Sequence, residues 1–187
     1  MMTKYMSNPV NRNKSIDADI VLRPPTAGDG VSLHRLVGEC PPLDPNSLYC
    51  NLLQCTHFAA TSVVAESRGR IVGAISGYVL PDDERTLFIW QVAVSPEARN
   101  RGLAMRMLRE ILARPWCRGI RNLHTTVTPD NQASRTLFTA LARDLEAPFR
   151  EHVWFESQRH FGGLHADEVL LQIGPFSRPS VLAAPSE

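Results

Sequence analysis

The sequence predicts an α/β (α+β) fold, a mixed and mostly antiparallel twisted sheet with helices on both faces. Three observations predict it. Extended and helical apolar patterns follow one another in the order β-α-α-β-β-β-α-β-α-β-β. Two extended runs flank Ser67-Arg68-Gly69-Arg70, a hairpin signal. A β-branched run, Leu87 to Val94, passes through a short polar loop into an amphipathic helix, so that Val92 to Ala104 reads V-A-V-S-P-E-A-R-N-R-G-L-A. At 187 residues and 43% hydrophobic content the chain is long enough to bury one core, expected over 19–176 with mobile tails at 1–18 and 177–187.

Each element has a local reason. Ile20 to Arg23 is a short strand ended by Pro24-Pro25. Thr26 to Asp29 starts a helix whose apolar positions are Val31, Leu33, Leu36 and Val37. Cys40 to Tyr49 is a loop leading to a second helix, capped by Asp44 or Asn46 and burying Tyr49, Leu52 and Leu53. Ser62 to Glu66 and Ile71 to Leu80 form the hairpin, Pro81 to Glu84 a loop, and Leu87 to Val94 the next strand. The following helix begins near Arg101 with Leu103, Met107, Leu108, Ile111 and Leu112 on one stripe, and Pro115 ends it. Asn122 to Val127 is a strand, and Thr128-Pro129-Asp130-Asn131 opens a helix that buries Ala133, Leu137, Phe138 and Leu141. Glu151 to Glu156 and Glu168 to Ile173 are antiparallel strands joined by a long loop, Ser157 to Asp167.

Composition narrows the function. A net charge of +1 argues against a nucleic-acid binder working through a broad basic face. No apolar run approaches the roughly 20 residues of a membrane span, and the N-terminal segment lacks the apolar core of a signal peptide. Cys40, Cys50, Cys55 and Cys117 form no C-x-x-C pair and read as reduced packing residues, so the expected location is cytoplasmic.

Chemistry concentrates at Arg99-Asn100-Arg101-Gly102-Leu103-Ala104, R-x-x-G-x-A at a strand-to-helix junction. The first turn of a helix leaves backbone N–H groups without intrahelical partners, and its dipole adds positive potential there. A pyrophosphate satisfies both, and the small Gly102 and Ala104 let it approach the main chain. The competing reading is an ordinary strand–turn–helix connection bearing surface arginines. A P-loop is excluded because no G-K-[ST] follows the glycine, and G-x-G-x-x-G is absent.

This segment resembles the coenzyme A-binding unit of the GNAT acetyltransferases, Q/R-x-x-G-x-G/A, and the element order over about 20–175 is similar to theirs. The resemblance implies a GNAT fold, acetyl-CoA as co-substrate and a homodimer; no metal is expected. It implies a pantetheine arm bonded to the main chain around Val92, Ala93 and Val94, and a pyrophosphate on Arg99, Asn100, Arg101, Gly102, Leu103 and Ala104. Asn131 matches a family asparagine that touches the cofactor; it reads equally as a helix cap. Many members place a glutamate on the central strand as base and a tyrosine on the next helix as acid. Here Phe88 to Val94 holds no carboxylate, and Phe138 stands at the tyrosine's place.

Three stretches resemble the L-2,4-diaminobutyrate acetyltransferases of ectoine biosynthesis: P-P-L-D-P-N-S-L-Y-C (41–50), F-I-W-Q-V-A-V (88–94) and H-F-G-G-L-H-A-D-E-V-L (160–170). That resemblance implies a small diamine amino acid as acceptor, acetylated on its 4-amino nitrogen by direct attack on the thioester, with neither nucleic acid nor membrane as partner. Asp44 and Glu168 are candidate anchors for an ammonium group, and Trp90 offers a flat wall or a core residue. Asn46, Ser47, Tyr49 and His165 are candidate donors to the substrate carboxylate. The free amine has a pKa of roughly 10.4, so a proton acceptor is needed; Glu168, with Tyr49 and His165, is the candidate set. Asp44 reads also as a plain cap, and His160 with His165 lacks a third ligand for a metal. Two rivals stay open: a GNAT enzyme acting on another diamine or basic amino acid, and a non-catalytic acyl-CoA-binding module.

Overall fold

The computed structural model describes residues 19–177; the expected tail at 1–18, and all but the first residue of that at 177–187, lie outside them. The strands are β1 (Ile20–Arg23), β2 (Val63–Ser67), β3 (Arg70–Leu80), β4 (Asp83–Val94), β5 (Asn122–Val127), β6 (Phe149–Phe155) and β7 (Glu168–Ile173). The helices are α1 (Gly30–Gly38), α2 (Leu48–Thr56), α3 (Leu103–Ala113), α4 (Gln132–Asp144) and the short α5 (Ser157–Phe161). Among the described residues the strands form one sheet in the order β1-β2-β3-β4-β5-β7-β6. Only the β4–β5 pair is parallel.

Helices cover both faces, as expected. On one, Leu103, Met107, Leu108 and Ile111 of α3 and Phe138 and Leu141 of α4 close over Ile75, Leu87, Ile89 and Leu123, all essentially excluded from water. Each such side chain contributes on the order of 1.5–3 kcal/mol. On the other, Leu33, Leu36 and Val37 of α1 and Cys55 of α2 pack on Val64, Ala74 and Ala93. Arg68 and Gly69 make the β2–β3 turn with φ of 52° and 75°, a two-residue hairpin geometry.

Several local expectations are corrected. β4 starts at Asp83 rather than Leu87, since Pro81-Asp82 alone makes the turn. α3 starts at Leu103, after Gly102 at φ 70°. The cap of α2 is Ser47, not Asp44 or Asn46: Ser47 Oγ accepts from the Cys50 N–H at 3.1 Å because it sits directly before the first helical residue. α2 buries Asn51, Gln54 and Cys55 and leaves Tyr49 at the surface. Its inward face is polar and partly paired: Asn51 Nδ2 donates to Gln54 Oε1 at 2.9 Å, and Asn51 Oδ1 meets His34 Nδ1 at 3.0 Å. Val31 and Ala133 are exposed. The 157–167 segment holds α5 rather than loop alone, and the expected 151–156 strand runs over Phe149–Phe155.

The feature that makes a site is in β4. Ser76 pairs with Gln91 but Gly77 pairs with Ile89, leaving Trp90 as an extra residue, a β-bulge. β4 and β5 pair from Thr86↔Asn122 to Ile89↔Thr125 and no further, while β5 continues along β7 to Val127↔Val169. The two parallel strands therefore part at the bulge.

Candidate active site

Where β4 and β5 part, a cleft of about 340 Å³ opens. Ser95 N–H bonds to Val72 O on β3. Backbone direction alternates along an antiparallel strand, so Val94 and Val92 direct their N–H and C=O groups away from β3 and into the cleft. Arg99, Asn100, Gly102, Leu103 and Ala104 form one wall, Asn131, Ser134 and Leu137 another, and Cys40 to Leu43 a third. The first intrahelical bond of α3 is Arg106 N–H to Gly102 O, so the amides before it have no partner within the helix. Gly102 lies in the left-handed region that glycine tolerates best.

The cofactor candidates divide. Val92, Val94, Arg99, Asn100, Gly102, Leu103, Ala104 and Asn131 line the cleft. Ala93 faces away, buried against α1 and α2, because alternate strand residues point to opposite faces. Arg101 lies outside the cleft lining. Asn131 is a cap, its Oδ1 accepting from Ser134 N–H at 3.0 Å, and it also lines the cleft. The Val94 carbonyl accepts from Arg99 Nε at 3.0 Å and Cys40 Sγ at 3.3 Å, tying the turn to the strand.

Beside the cleft, three side chains from two segments converge. His165 Nε2 lies 3.3 Å from Asp44 Oδ2 and 3.9 Å from Glu168 Oε1. Its Nδ1 faces Ala166 O at 2.8 Å, so Nδ1 carries a proton and Nε2 is the nitrogen turned to the carboxylates. The Ala166 carbonyl first, and then the two carboxylates, raise the His165 pKa above its usual value. Burial raises the Glu168 pKa, opposed by a hydrogen bond from Thr126 and by His165. Leu43 and Val92 line the cleft and are the chain neighbours of Asp44 and Gln91, so Asp44 of the cluster adjoins the cleft.

Gln91 joins the two halves, a role the sequence reading left unassigned. Its Nε2 donates to Asp44 O and its Oε1 accepts from Asn46 Nδ2, both at 2.9 Å. One amide clasps the 44–46 loop to the central strand. The available signal was a polar residue inside the apolar run Leu87–Val94. Asn46, a candidate substrate donor, has its amide nitrogen on that clasp, and Ser47 accepts the capping bond. Tyr49 stands 70% exposed in the first turn of α2, apart from the Asp44–His165–Glu168 contacts. Trp90 is 39% exposed and meets Tyr78 edge-on at 6.4 Å, so it is a surface wall rather than core. Trp154 stacks on Phe155 at 4.7 Å, and Phe161 packs against His165 at 4.7 Å, bracing the histidine from β6 and α5. Phe138 is buried, so α4 brings no phenol to the cleft.

Residues 31–142 match the acetyltransferase (GNAT) family. The chain belongs to the GNAT family of acetyltransferases. Within it, the chain is 54% identical over 159 residues to the L-2,4-diaminobutyric acid acetyltransferase of Bordetella parapertussis, covering 84% of this chain and 86% of that one. It is 50% identical over 157 residues to the enzyme of the same name from Methylotuvimicrobium alcaliphilum, covering 84% and 91%. Among solved structures it is similar to diaminobutyrate acetyltransferase EctA from Paenibacillus lautus, in complex with its substrate L-2,4-diaminobutyric acid and coenzyme A. That similarity has a TM-score of 0.81 at 39% identity and covers 86% of this chain and 97% of that one.

Proposed function

We propose that this protein transfers the acetyl group of acetyl-CoA to the 4-amino nitrogen of L-2,4-diaminobutyrate, the acetylation step of ectoine biosynthesis, a compatible-solute pathway serving osmotic stress. The observation that carries the reading is the convergence of Asp44, His165 and Glu168 beside the cleft between β4 and β5. An acceptor with two amines and a carboxylate is matched by two carboxylates and a proton-bearing imidazole; the relatives named above supply the substrate's identity.

In this reading the pantetheine arm lies along Val92 and Val94, and the pyrophosphate rests on the first turn of α3 with Arg99, Asn100 and Arg101 around it. Glu168 accepts the proton of the 4-ammonium group, its raised pKa bringing it toward the range useful for a base. The neutral amine then attacks the thioester carbonyl; the N–C bond forms, the C–S bond breaks, and the thiolate of coenzyme A leaves and takes up a proton. The Val92 N–H stabilises the developing oxyanion. Asp44 anchors the second ammonium beside Trp90, and Ser47 and His165 face the substrate carboxylate.

The protein acts in the cytoplasm as a homodimer. Among the described residues no helix is long and apolar enough to cross a membrane. The dimer is supported by the edge position of β6 and by the exposed Val153, Trp154 and Leu164 near it.

The test is thiol release from acetyl-CoA with L-2,4-diaminobutyrate beside ornithine, lysine and spermidine, with NMR of the product. Selective turnover with acetyl on the 4-nitrogen is expected. Equal rates on a longer amine would leave a GNAT enzyme of other specificity, and coenzyme A binding without turnover would leave a binding module.

A further inference from the structure

Arg114 follows the last residue of α3, held extended at φ −66° and ψ 150° by the proline after it. An arginine at a helix end is ordinarily solvated, yet this one is only 8% exposed. Its Nη1 donates to three main-chain carbonyls, those of Ala59 at 3.3 Å, Ala60 at 3.1 Å and Ser62 at 2.5 Å. Glu110 lies 3.7 Å from its Nε. These carbonyls belong to the tight turn Ala59–Thr61 and its exit; Ala59 O also accepts from Ser62 N–H at 3.3 Å, while the bond to the buried Ser62 carbonyl comes from Arg114. An apolar residue here would leave the turn's carbonyls and Glu110 without this partner, so loss of the guanidinium loosens the turn itself.

The turn held by Arg114 in turn holds the bulge. The β2–β3 ladder ends at Val63↔Ile75, and the next outward-facing backbone groups of β3 are those of Gly77. Two side chains of the turn replace the missing strand: Thr61 Oγ1 donates to Gly77 O at 2.6 Å, and Ser62 Oγ accepts from Gly77 N–H at 3.3 Å. Gly77 stands opposite Ile89, at the register shift that leaves Trp90 unpaired. The backbones are pressed together there: a Cβ on Gly77 would lie 2.8 Å from Phe88 O and 3.3 Å from Thr61 O. A continuous path thus runs from Arg114 through Thr61 and Ser62 to Gly77 and across to Trp90 and Gln91.

We propose that Arg114 is a positioning residue for the acceptor. By fixing the 59–62 turn it fixes Gly77, and through Gly77 the conformation at the bulge that aims Trp90 and sets Gln91 against the 44–46 loop. It lines neither the cleft nor the carboxylate cluster, and it acts only through this path. The inference rests on the reading of Trp90 and the Gln91 clasp as the acceptor side.

Two readouts test it, one independent of activity. Hydrogen exchange on Arg114→Met, Arg114→Lys, Thr61→Val and Ser62→Ala should show the Gly77 and Trp90 amides exchanging at least about tenfold faster in Arg114→Met and Ser62→Ala, with the α4 amides unchanged. In steady-state kinetics Arg114→Met should raise KM for the diamine about tenfold or more, while KM for acetyl-CoA stays within about twofold. Arg114→Lys should recover part of the loss, and Thr61→Val on top of Arg114→Met should add little, as coupled members of one path do. Unchanged exchange at Gly77 and Trp90 would overturn the proposal whatever the activity. Parallel loss of diamine and acetyl-CoA affinity would also overturn it, marking plain destabilisation. Absence of diaminobutyrate turnover in the unmodified protein would refute the proposed function instead, and the exchange measurement would still decide the path.

Discussion

The Gln91 clasp makes the sharpest prediction. Gln91→Leu keeps the side chain's approximate volume and removes both hydrogen bonds, the one to Asp44 O and the one from Asn46, each 2.9 Å long. A neutral hydrogen bond contributes about 0.5–1.5 kcal/mol net, so the pair is worth about 1–3 kcal/mol. The loop is largely exposed, and water can re-solvate the Asp44 carbonyl and the Asn46 amide once they are released. That places the effect in the lower half, about 1–2 kcal/mol, or a 5- to 30-fold change. Because Asp44 and its loop lie on the acceptor side, the loss should appear in kcat/KM for diaminobutyrate, with KM for acetyl-CoA little altered and thermal stability nearly so. Gln91→Glu should be at least as damaging at neutral pH, since a carboxylate retains the acceptor for Asn46 but turns a second acceptor against Asp44 O. A fall of less than about twofold in Gln91→Leu, or an equal change in both substrates' KM, would refute the reasoning and reduce the clasp to an incidental surface contact.

Four further outcomes follow from the same geometry. Glu168→Gln should lower kcat/KM about 10²-fold or more, as loss of a proton acceptor does, without lowering Tm, because burial already disfavours the charged form of Glu168; a Tm loss matching the activity loss would mark a structural role. His165 has a folded-state pKa raised above its usual 6.5, so the stability its protonated form contributes is present below that value and is lost as pH rises through the folded one. His165→Asn should therefore flatten the fall in Tm across that window, and an unchanged slope would count against the Asp44–His165–Glu168 contacts. Gly102→Ala meets no atom within 4 Å but forces an alanine to φ 70°, a cost of about 1–2 kcal/mol that predicts a Tm lower by about 2–8 °C and a raised KM for acetyl-CoA; calorimetry showing no change would mean the turn relaxes. Asp29, salt-bridged to Arg23 at 2.8 Å, is held at a pKa of about 2, so its contribution persists above the usual 3.8 and disappears as pH falls toward 2; Asp29→Asn should lower Tm at neutral pH and leave acid unfolding less steep, and an unaltered acid limb would refute it.

The coenzyme half of the site was legible because it is local. A β-branched run, a polar loop, a glycine and an amphipathic stripe occupy the consecutive residues 92–112, and the main-chain groups they expose follow from helix and strand geometry without reference to distant residues. What local reasoning missed there is the direction of single side chains: Ala93 was grouped with its neighbours, whereas strand alternation turns it into the second core. The same limit explains α2. Its apolar positions suggested Tyr49, Leu52 and Leu53 as the buried face, but periodicity counts polarity and not pairing, and the buried Asn51 is bonded to Gln54 on one side and His34 on the other.

The acceptor half is legible only in part, because it exists only once the chain has folded. Asp44, Gln91 and the 165–168 pair come from segments separated by more than forty residues each, and no periodicity relates them. Residue type could nominate Asp44, His165 and Glu168; it could not show that Gln91 holds Asp44, nor that Asn46 already has its amide nitrogen engaged. The bulge is the hinge of both halves. One extra residue in β4 stands where the parallel strands part and Val92 and Val94 come to line the cleft. The same residue, Trp90, becomes a wall, and Gln91 beside it meets the 44–46 loop. In the proposed mechanism this strand, which carries no carboxylate, holds the loop that bears Asp44 through Gln91, while the proton acceptor, Glu168, comes from β7.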